Sequence, residues 1–399
     1  MKINNAESPI EIVWDTSGIP HVFAKSIADA YRGMGYVSGK DRLWQTHQST
    51  AYANCEAAAL LGEKFLAQDA IQRACNVHGK RTGLPTSPGD WIVDAYLDGI
   101  NSTVEQLDDV PPEFENAGAT PRIFTREDVA ARYRFTSWFQ HKSWTEKLTI
   151  GRLMATHGVD YFRNSLLHFS SEDEQVIDEL APALKDISTA PFFLAYPEAA
   201  HLVTSGSNNW AVKGHLSQSG KPIIATDPHQ PHTIPNTFLY IHLHAPGWDV
   251  FGAAFPGVPY FMMGTTRDVS WGLTTGFVDS YDVYIEKLDS GNEYLYDGQR
   301  NLLTERTETI SIKNLSDRNI SIRYTEHGPL LEDLCLELGL DAKKPKGYGT
   351  SLHWVLADVP TSAGALAELP LAKSSEEFGG KLFENDVCPL VNNIICVDQ

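Results

Sequence analysis

Apolar and polar positions change their spacing once along the chain, close to residue 206. Residues 9–14 (PIEIVW) alternate and predict a strand, with Gly18-Ile19-Pro20 as the turn after it. From Ser26 to about Leu61, apolar and small residues recur every three to four positions, which predicts helix with Ser26 as its N-cap. A second helix is expected over residues 87–107, opening after Pro88-Gly89 and broken by Pro111-Pro112. Thr125-Arg126-Glu127-Asp128 has the form of a capping box, with Asp in place of Glu, and predicts a helix to about Trp138. Helical patterning runs on to about Leu184. Residues 186–206 have weak periodicity and two prolines and read as a linker.

From Ser207 the pattern is that of short strands, among them NNWAVKG, KPIIAT, TFLYIHLHA, YFMMG, VSWGLTTG and YDVYIEKL, divided by Gly, Pro and Asp turns. The expected organisation is an α+β protein: a mainly helical region over 1–185, a linker over 186–206, and a strand-rich region over 207–399. No internal repeat or low-complexity tract interrupts it.

Composition narrows the class. The chain has 399 residues, 42% apolar and 21% charged, enough to bury a large core. It carries 32 Lys and Arg against 51 Asp and Glu, a net charge of -19. That balance argues against nucleic acid and against anionic membrane surfaces as partners. No run of about 18 apolar residues is present, so no membrane-spanning segment is expected. Cys55, Cys75, Cys335, Cys388 and Cys396 form no CxxC pair and suggest neither a zinc ribbon nor a disulfide framework. The first residues lack the apolar stretch of a secretory signal.

Candidate chemistry concentrates between Gly206 and Glu286. Taken alone, Gly206-Ser207 reads as a loop serine ahead of a strand. In order, however, GSNNWAV (206–212), GKPIIATDPH (220–229) and the run from Phe255 to Leu288 form a larger pattern. To it belong residues 15–45, Thr325-Glu326-His327-Gly328-Pro329 and Leu352-His353-Trp354. The ordered set resembles the penicillin acylase family of N-terminal-nucleophile amide hydrolases across essentially the whole chain.

That resemblance implies a four-layer αββα sandwich and a chain that cuts itself between Gly206 and Ser207. The product would be an α/β heterodimer acting on a small N-acyl compound, such as a β-lactam side chain or an acyl-homoserine lactone. Ser207 would supply both the nucleophilic hydroxyl and, through its new α-amine, the general base. An α-amine titrates near about 7.7–8.0, which suits that role, and no Ser–His–Asp triad is needed. Gly206 would ease the strained backbone of the N-to-O acyl shift. The N–H of Thr275 would be one oxyanion donor. His229, 22 residues after Ser207, would orient the Ser207 amine or hydroxyl, as His does in the glutaryl-cephalosporin and acyl-homoserine-lactone branches. Met263 and Leu273 match pocket positions and favour an apolar acyl group. Asp279, Asp282 and the Tyr281 carbonyl match the calcium ligands of one branch, with Glu146 as a further ligand. The resemblance also implies a periplasmic or secreted location.

Two other readings stay open at this stage. One is a non-catalytic binding protein that keeps the fold. The other is a zinc hydrolase using His229, His232, His242, His244 and Asp227, although no HExxH pairing is present. The family's second oxyanion donor, an asparagine, falls beyond Gln399, so the expectation is a member incomplete at its C-terminus.

Overall fold

The computed structural model describes residues 3–140, 143–157, 179, 206–289, 291–342, 344–383 and 390–398. The chain opens with strands β1 (Glu11–Trp14) and β2 (Pro20–Phe23). Helices follow: α1 (Ile27–Ala53), α2 (Ala57–Leu61), α3 (Leu66–Ala74), α4 (Asp90–Glu105), α5 (Pro112–Ala117), α6 (Arg126–Gln140) and α7 (Ser143–His157). Then come β3 (Ser207–Val212), β4 (Ile223–Pro228), β5 (Leu239–Ala245), β6 (Trp248–Ala254), β7 (Phe261–Thr266), β8 (Val269–Thr275) and β9 (Tyr281–Leu288). The remainder contains β10 (Glu293–Tyr296), β11 (Gln299–Leu302), β12 (Thr304–Ile310), β13 (Arg318–Tyr324), α8 (Leu331–Glu337), β14 (Tyr348–Trp354), α9 (Ser375–Phe383) and β15 (Asn392–Asp398). The expected linker, residues 186–206, lies outside the described residues except for Gly206, as does the helical pattern from 158 to 184 apart from Glu179. Among the described residues no helix is long and apolar enough to cross a membrane.

Local chemistry sets the helix ends. Ser26 accepts the Asp29 N–H on its hydroxyl at 3.1 Å and starts α1. The helical run expected to reach Leu61 stops at Ala53, because Cys55 turns to a positive φ of 56°. It resumes as α2, whose first N–H groups, of Ala57 and Ala58, donate to the Asp69 carboxylate of α3 at 3.2 and 2.7 Å. Thr125 and Asp128 cap α6 reciprocally: the Thr125 N–H reaches Asp128 Oδ2 at 3.0 Å and the Asp128 N–H reaches Thr125 Oγ1 at 3.4 Å.

The strands form a mixed α+β architecture around two main cores. The larger sheet has seven strands in the order β1-β2-β5-β6-β7-β8-β15. All its neighbours are antiparallel except β2 and β5, which run parallel with Val22 opposite Leu243. One face (Val22, Ile241, Leu243, Val250, Trp271) is buried in a core shared with α1, α4 and α6. The other face carries Phe23, Tyr240 and Phe251, which are 39, 44 and 39% exposed, beside His21, His242 and His244. A four-stranded sheet (β11-β10-β9-β14) and the β12–β13 pair enclose a second core with α3, α8, Trp138 and Trp144.

The helical layer depends on a close crossing of α1 and α4. A Cβ on Gly35 would overlap the Tyr96 carbonyl oxygen, and one on Gly99 would overlap the Arg32 carbonyl oxygen. Gly39 faces Thr103 with room for hydrogen alone, since a Cβ would lie 2.7 Å from Thr103 Cβ. Two backbones in contact leave nothing soft to move aside. Gly35→Ala or Gly99→Ala is therefore expected to destabilise by at least the upper part of the ~1–3 kcal/mol range for overpacking. Gly379→Ala on α9, where an added Cβ meets nothing within 4 Å, should be neutral or slightly stabilising. Urea unfolding of the three variants is the measurement.

Candidate active site

The strand β3 begins at Ser207 and pairs with β4 in an antiparallel hairpin, Ser207 opposite Pro228 and Asn209 opposite Thr226. The residue after the hairpin, His229, donates its backbone N–H to the Gly206 carbonyl oxygen at 3.0 Å. The Ser207 hydroxyl donates to the same oxygen at 2.7 Å. The peptide between Gly206 and Ser207 thus carries a carbonyl with two donors, one of them the hydroxyl of the residue that follows it.

The His229 ring is oriented by the hairpin. Its Nε2 lies 3.2 Å from Asp227 Oδ2 and 3.2 Å from Asn208 Nδ2. A carboxylate only accepts and an amide nitrogen only donates, so Nε2 serves one of them at a time: it donates to Asp227 when it carries the proton and accepts from Asn208 when it does not. The other ring nitrogen, Nδ1, faces Gly206, where a Cβ would stand 3.6 Å from it. The ring and the carboxylate are well exposed.

The hairpin lies across the end of the large sheet, against β8. Thr226 packs on Gly272: a Cβ there would meet Thr226 Cβ at 2.6 Å. Asn209 Nδ2 adds a long contact of 3.4 Å to the Gly272 carbonyl. Because residues two apart on a strand share a face, Ser207 turns to the same side of the hairpin as Asn209, toward β8. Thr275 closes β8 opposite Asn392 of β15. The next residue, Gly276, gives its N–H to the Val391 carbonyl at 3.0 Å. Antiparallel ladders alternate, so the Thr275 N–H points to the other edge of β8. Among the described residues β7 pairs with β8 through Gly264–Trp271 and Thr265–Ser270, a ladder that stops short of Thr275. Asn393 steadies this end by donating to Thr274 Oγ1 at 3.2 Å and the Thr275 carbonyl at 3.3 Å.

Met263 and Leu273 are both buried, on opposite faces of the sheet. Gly264 pairs with Trp271, so Leu273 shares the helical face with Trp271, whereas Met263 shares the hairpin face with Gly272.

The expected calcium ligands converge on a side chain. Lys147 Nζ of α7 lies 2.6 Å from Asp279 Oδ1, 3.3 Å from Asp282 Oδ1 and against the Tyr281 carbonyl oxygen. Among the described residues no three of His, Cys, Asp and Glu are grouped to hold a metal ion, so Glu146 does not stand with Asp279 and Asp282. A calcium ion would have to share the position of an ammonium, and the residues as arranged do not fit one.

The histidines of the zinc reading separate. His229 stays with the hairpin, while His242 and His244 lie on β5. There His244 Nδ1 meets Asp249 Oδ1 at 2.5 Å and His242 Nδ1 meets His21 Nδ1 at 3.1 Å. Burial, and next the neighbouring His21, lower the pKa of His242. His232 is exposed.

The sequence pattern singled out Gly206, Ser207, His229 and Thr275 and passed over Lys147, Asn208 and Asn393. A Lys one position from a suspected acidic ligand was the available signal.

The profile of the family described as penicillin amidase matches residues 9–399. The chain belongs to the penicillin amidase family. Relatives include penicillin acylase 2 proenzyme of Pseudomonas sp. (strain SE83), 26% identical over 83% of this chain and 44% of its own length. Acyl-homoserine lactone acylase QuiP of Pseudomonas aeruginosa is 26% identical over 96% of this chain and 47% of its own. Penicillin G acylase of Escherichia coli is 26% identical over 88% and 48%. The chain therefore spans somewhat under half the length of these curated relatives. The thermostable penicillin G acylase of Alcaligenes faecalis superposes on 48% of this chain and 33% of its own, with a TM-score of 0.40 and 23% identity.

The docking of the hairpin on β8 can be probed apart from any activity. Thr226 Oγ1 is buried with no hydrogen-bond partner among the described residues, so Thr226→Ala removes bulk at little polar cost. Gly272→Ala should destabilise by about 1–3 kcal/mol. In the double variant Gly272→Ala/Thr226→Ala only part of that loss should return, because Oγ1 and Cγ2 are removed while the Cβ 2.6 Å from the new one stays; denaturant unfolding measures this as a coupling between the two sites.

Proposed function

We propose that this protein is an amide hydrolase that matures by cutting its own chain before Ser207 and then cleaves the linear amide of a small N-acyl compound. The observation that carries the reading is the Gly206 carbonyl, held by the His229 N–H at 3.0 Å with the Ser207 hydroxyl 2.7 Å from its oxygen. A carbonyl polarised by a backbone donor beside a hydroxyl is the starting arrangement for an N-to-O acyl shift. In that step Ser207 Oγ bonds to the Gly206 carbonyl carbon, the C–N bond breaks, and the hydroxyl proton passes to the departing amine. Water then hydrolyses the ester and leaves Ser207 as a free N-terminus. His229, with Nδ1 facing Gly206, is suited to relay the proton.

In the mature enzyme the Ser207 α-amine takes the proton from its own hydroxyl as Oγ attacks the substrate carbonyl. The Thr275 N–H, beyond the last β7–β8 ladder pair, is the donor assigned to the oxyanion. Met263 lies on the hairpin side and is assigned to the acyl pocket. Leu273, on the helical side, supports that wall from behind. The two products of the cut would stay together as an α/β heterodimer. The exposed aromatic face of the large sheet and the hairpin laid on it favour a second sheet there, giving a four-layer αββα sandwich. Relatives named as penicillin and acyl-homoserine lactone acylases favour N-acyl substrates of those kinds.

Maturation is the direct test. Intact-mass analysis of the complete gene product is expected to show two chains, the second starting at Ser207, and Ser207→Ala should remain one chain. His229→Ala should slow the cut by about a hundredfold or more, within the range of acid–base contributions. A wild-type product that hydrolyses amides while staying uncut would refute the mechanism.

Substrate preference gives a second test. With His229 and Met263 on the hairpin side and Leu273 backing that wall, medium aliphatic acyl chains should be turned over at least as fast as phenylacetyl amides. A panel of p-nitroanilides and acyl-homoserine lactones reads this through kcat/KM, and strict phenylacetyl preference would count against the pocket assignment.

A further inference from the structure

We propose that the Lys147 ammonium is the resident cation of the Asp279–Asp282 loop, a tethered substitute that makes this chain independent of a divalent ion at that place. The stereochemistry is matched in number. An ammonium has three N–H donors and no acceptor, and it faces three acceptors here: Asp279 Oδ1 at 2.6 Å, Asp282 Oδ1 at 3.3 Å and the Tyr281 carbonyl oxygen. In charge, two carboxylates and one ammonium leave one net negative charge, which the exposure of both carboxylates, 65 and 56%, lets water accommodate.

The helix register fixes which side chain reaches the loop. Trp144 and Leu148 of α7 are 4 and 3% exposed and sit in the second core. Lys147 lies three residues after Trp144 and beside Leu148, at the margin of that buried face. Glu146 is exposed. Turning α7 by one residue, about 100°, to bring Glu146 to the loop would withdraw both anchors from the core.

The clamp acts on the connection that follows Thr275. Residues 276–280 link β8 to β9, and Tyr281 at the start of β9 is held from beneath, its hydroxyl donating to the Trp138 carbonyl at 2.8 Å. Lys147 therefore ties α7 to the far end of the loop whose near end is Thr275. This inference does not rest on the amide-hydrolase reading.

The test uses the complete gene product, treated with EDTA and melted in EDTA and in millimolar calcium chloride. The wild type is expected to melt at the same temperature in both. Lys147→Met is expected to melt about 1 °C lower in EDTA, since the shift for loss of a modest interaction falls as the folding unit grows. Asp282→Asn is the milder variant should Lys147→Met not fold. It should lower the melting temperature equally in EDTA and in calcium. A wild type stabilised by calcium, a Lys147→Met protein that melts with the wild type, or an Asp282→Asn loss seen only in calcium would each overturn the proposal.

Discussion

Everything in this structure is built outward from the contact of α1 with α4. Helices normally meet through side chains, at separations of about 8–10 Å. Here Gly35 and Gly99 let each backbone reach the other, and no side chain could be inserted between them. The helical layer is thin as a result, and Val22 of β2 can press against Gly33 of α1. The seven-stranded sheet takes its position from that contact, and β8, near its far edge, receives the hairpin that carries Ser207.

A second glycine contact works on the other side of the sheet. Gly272 gives Thr226 a seat, and the hairpin rests there rather than on a ladder of hydrogen bonds. The arrangement around Gly206 is thus positioned by packing, while its polarity comes from local groups: the His229 N–H, the Ser207 hydroxyl and the Asp227 carboxylate behind the imidazole. Packing sets where the peptide lies, and hydrogen bonds set how its carbonyl is polarised. The two can be altered separately.

What could be read from the sequence follows the range of each interaction. The Ser26 cap, the Thr125–Asp128 box and the strands β7 to β9 were legible, because periodicity and capping are encoded within a few residues. The break at Cys55 and the α2 start held by Asp69 were not, since both depend on a side chain from another helix or a single unusual φ. Neither the β6 strand nor the union of β1 and β2 with the later sheet was anticipated. The parallel pairing of His21 with His242 spans more than two hundred residues and leaves no local trace. Of the candidate site, Gly206, Ser207, His229 and Thr275 were named from an ordered set of motifs, and the structure brings the first three together. Lys147 was not named, because its meaning comes from the turn of a helix against a distant loop.

That parallel pairing has a thermodynamic consequence. β2 and β5 stand on opposite sides of the Gly206–Ser207 peptide, and each main core draws residues from both sides of it. A break at that peptide would leave the folded body whole, yet its unfolded state would become two separate molecules. Refolding would then require an encounter and would slow on dilution, while unfolding would be no harder to reverse in the uncut chain than before. The persistence of a broken form would rest on the height of its unfolding barrier, a property of rate, with the memory of how to assemble left behind in the precursor.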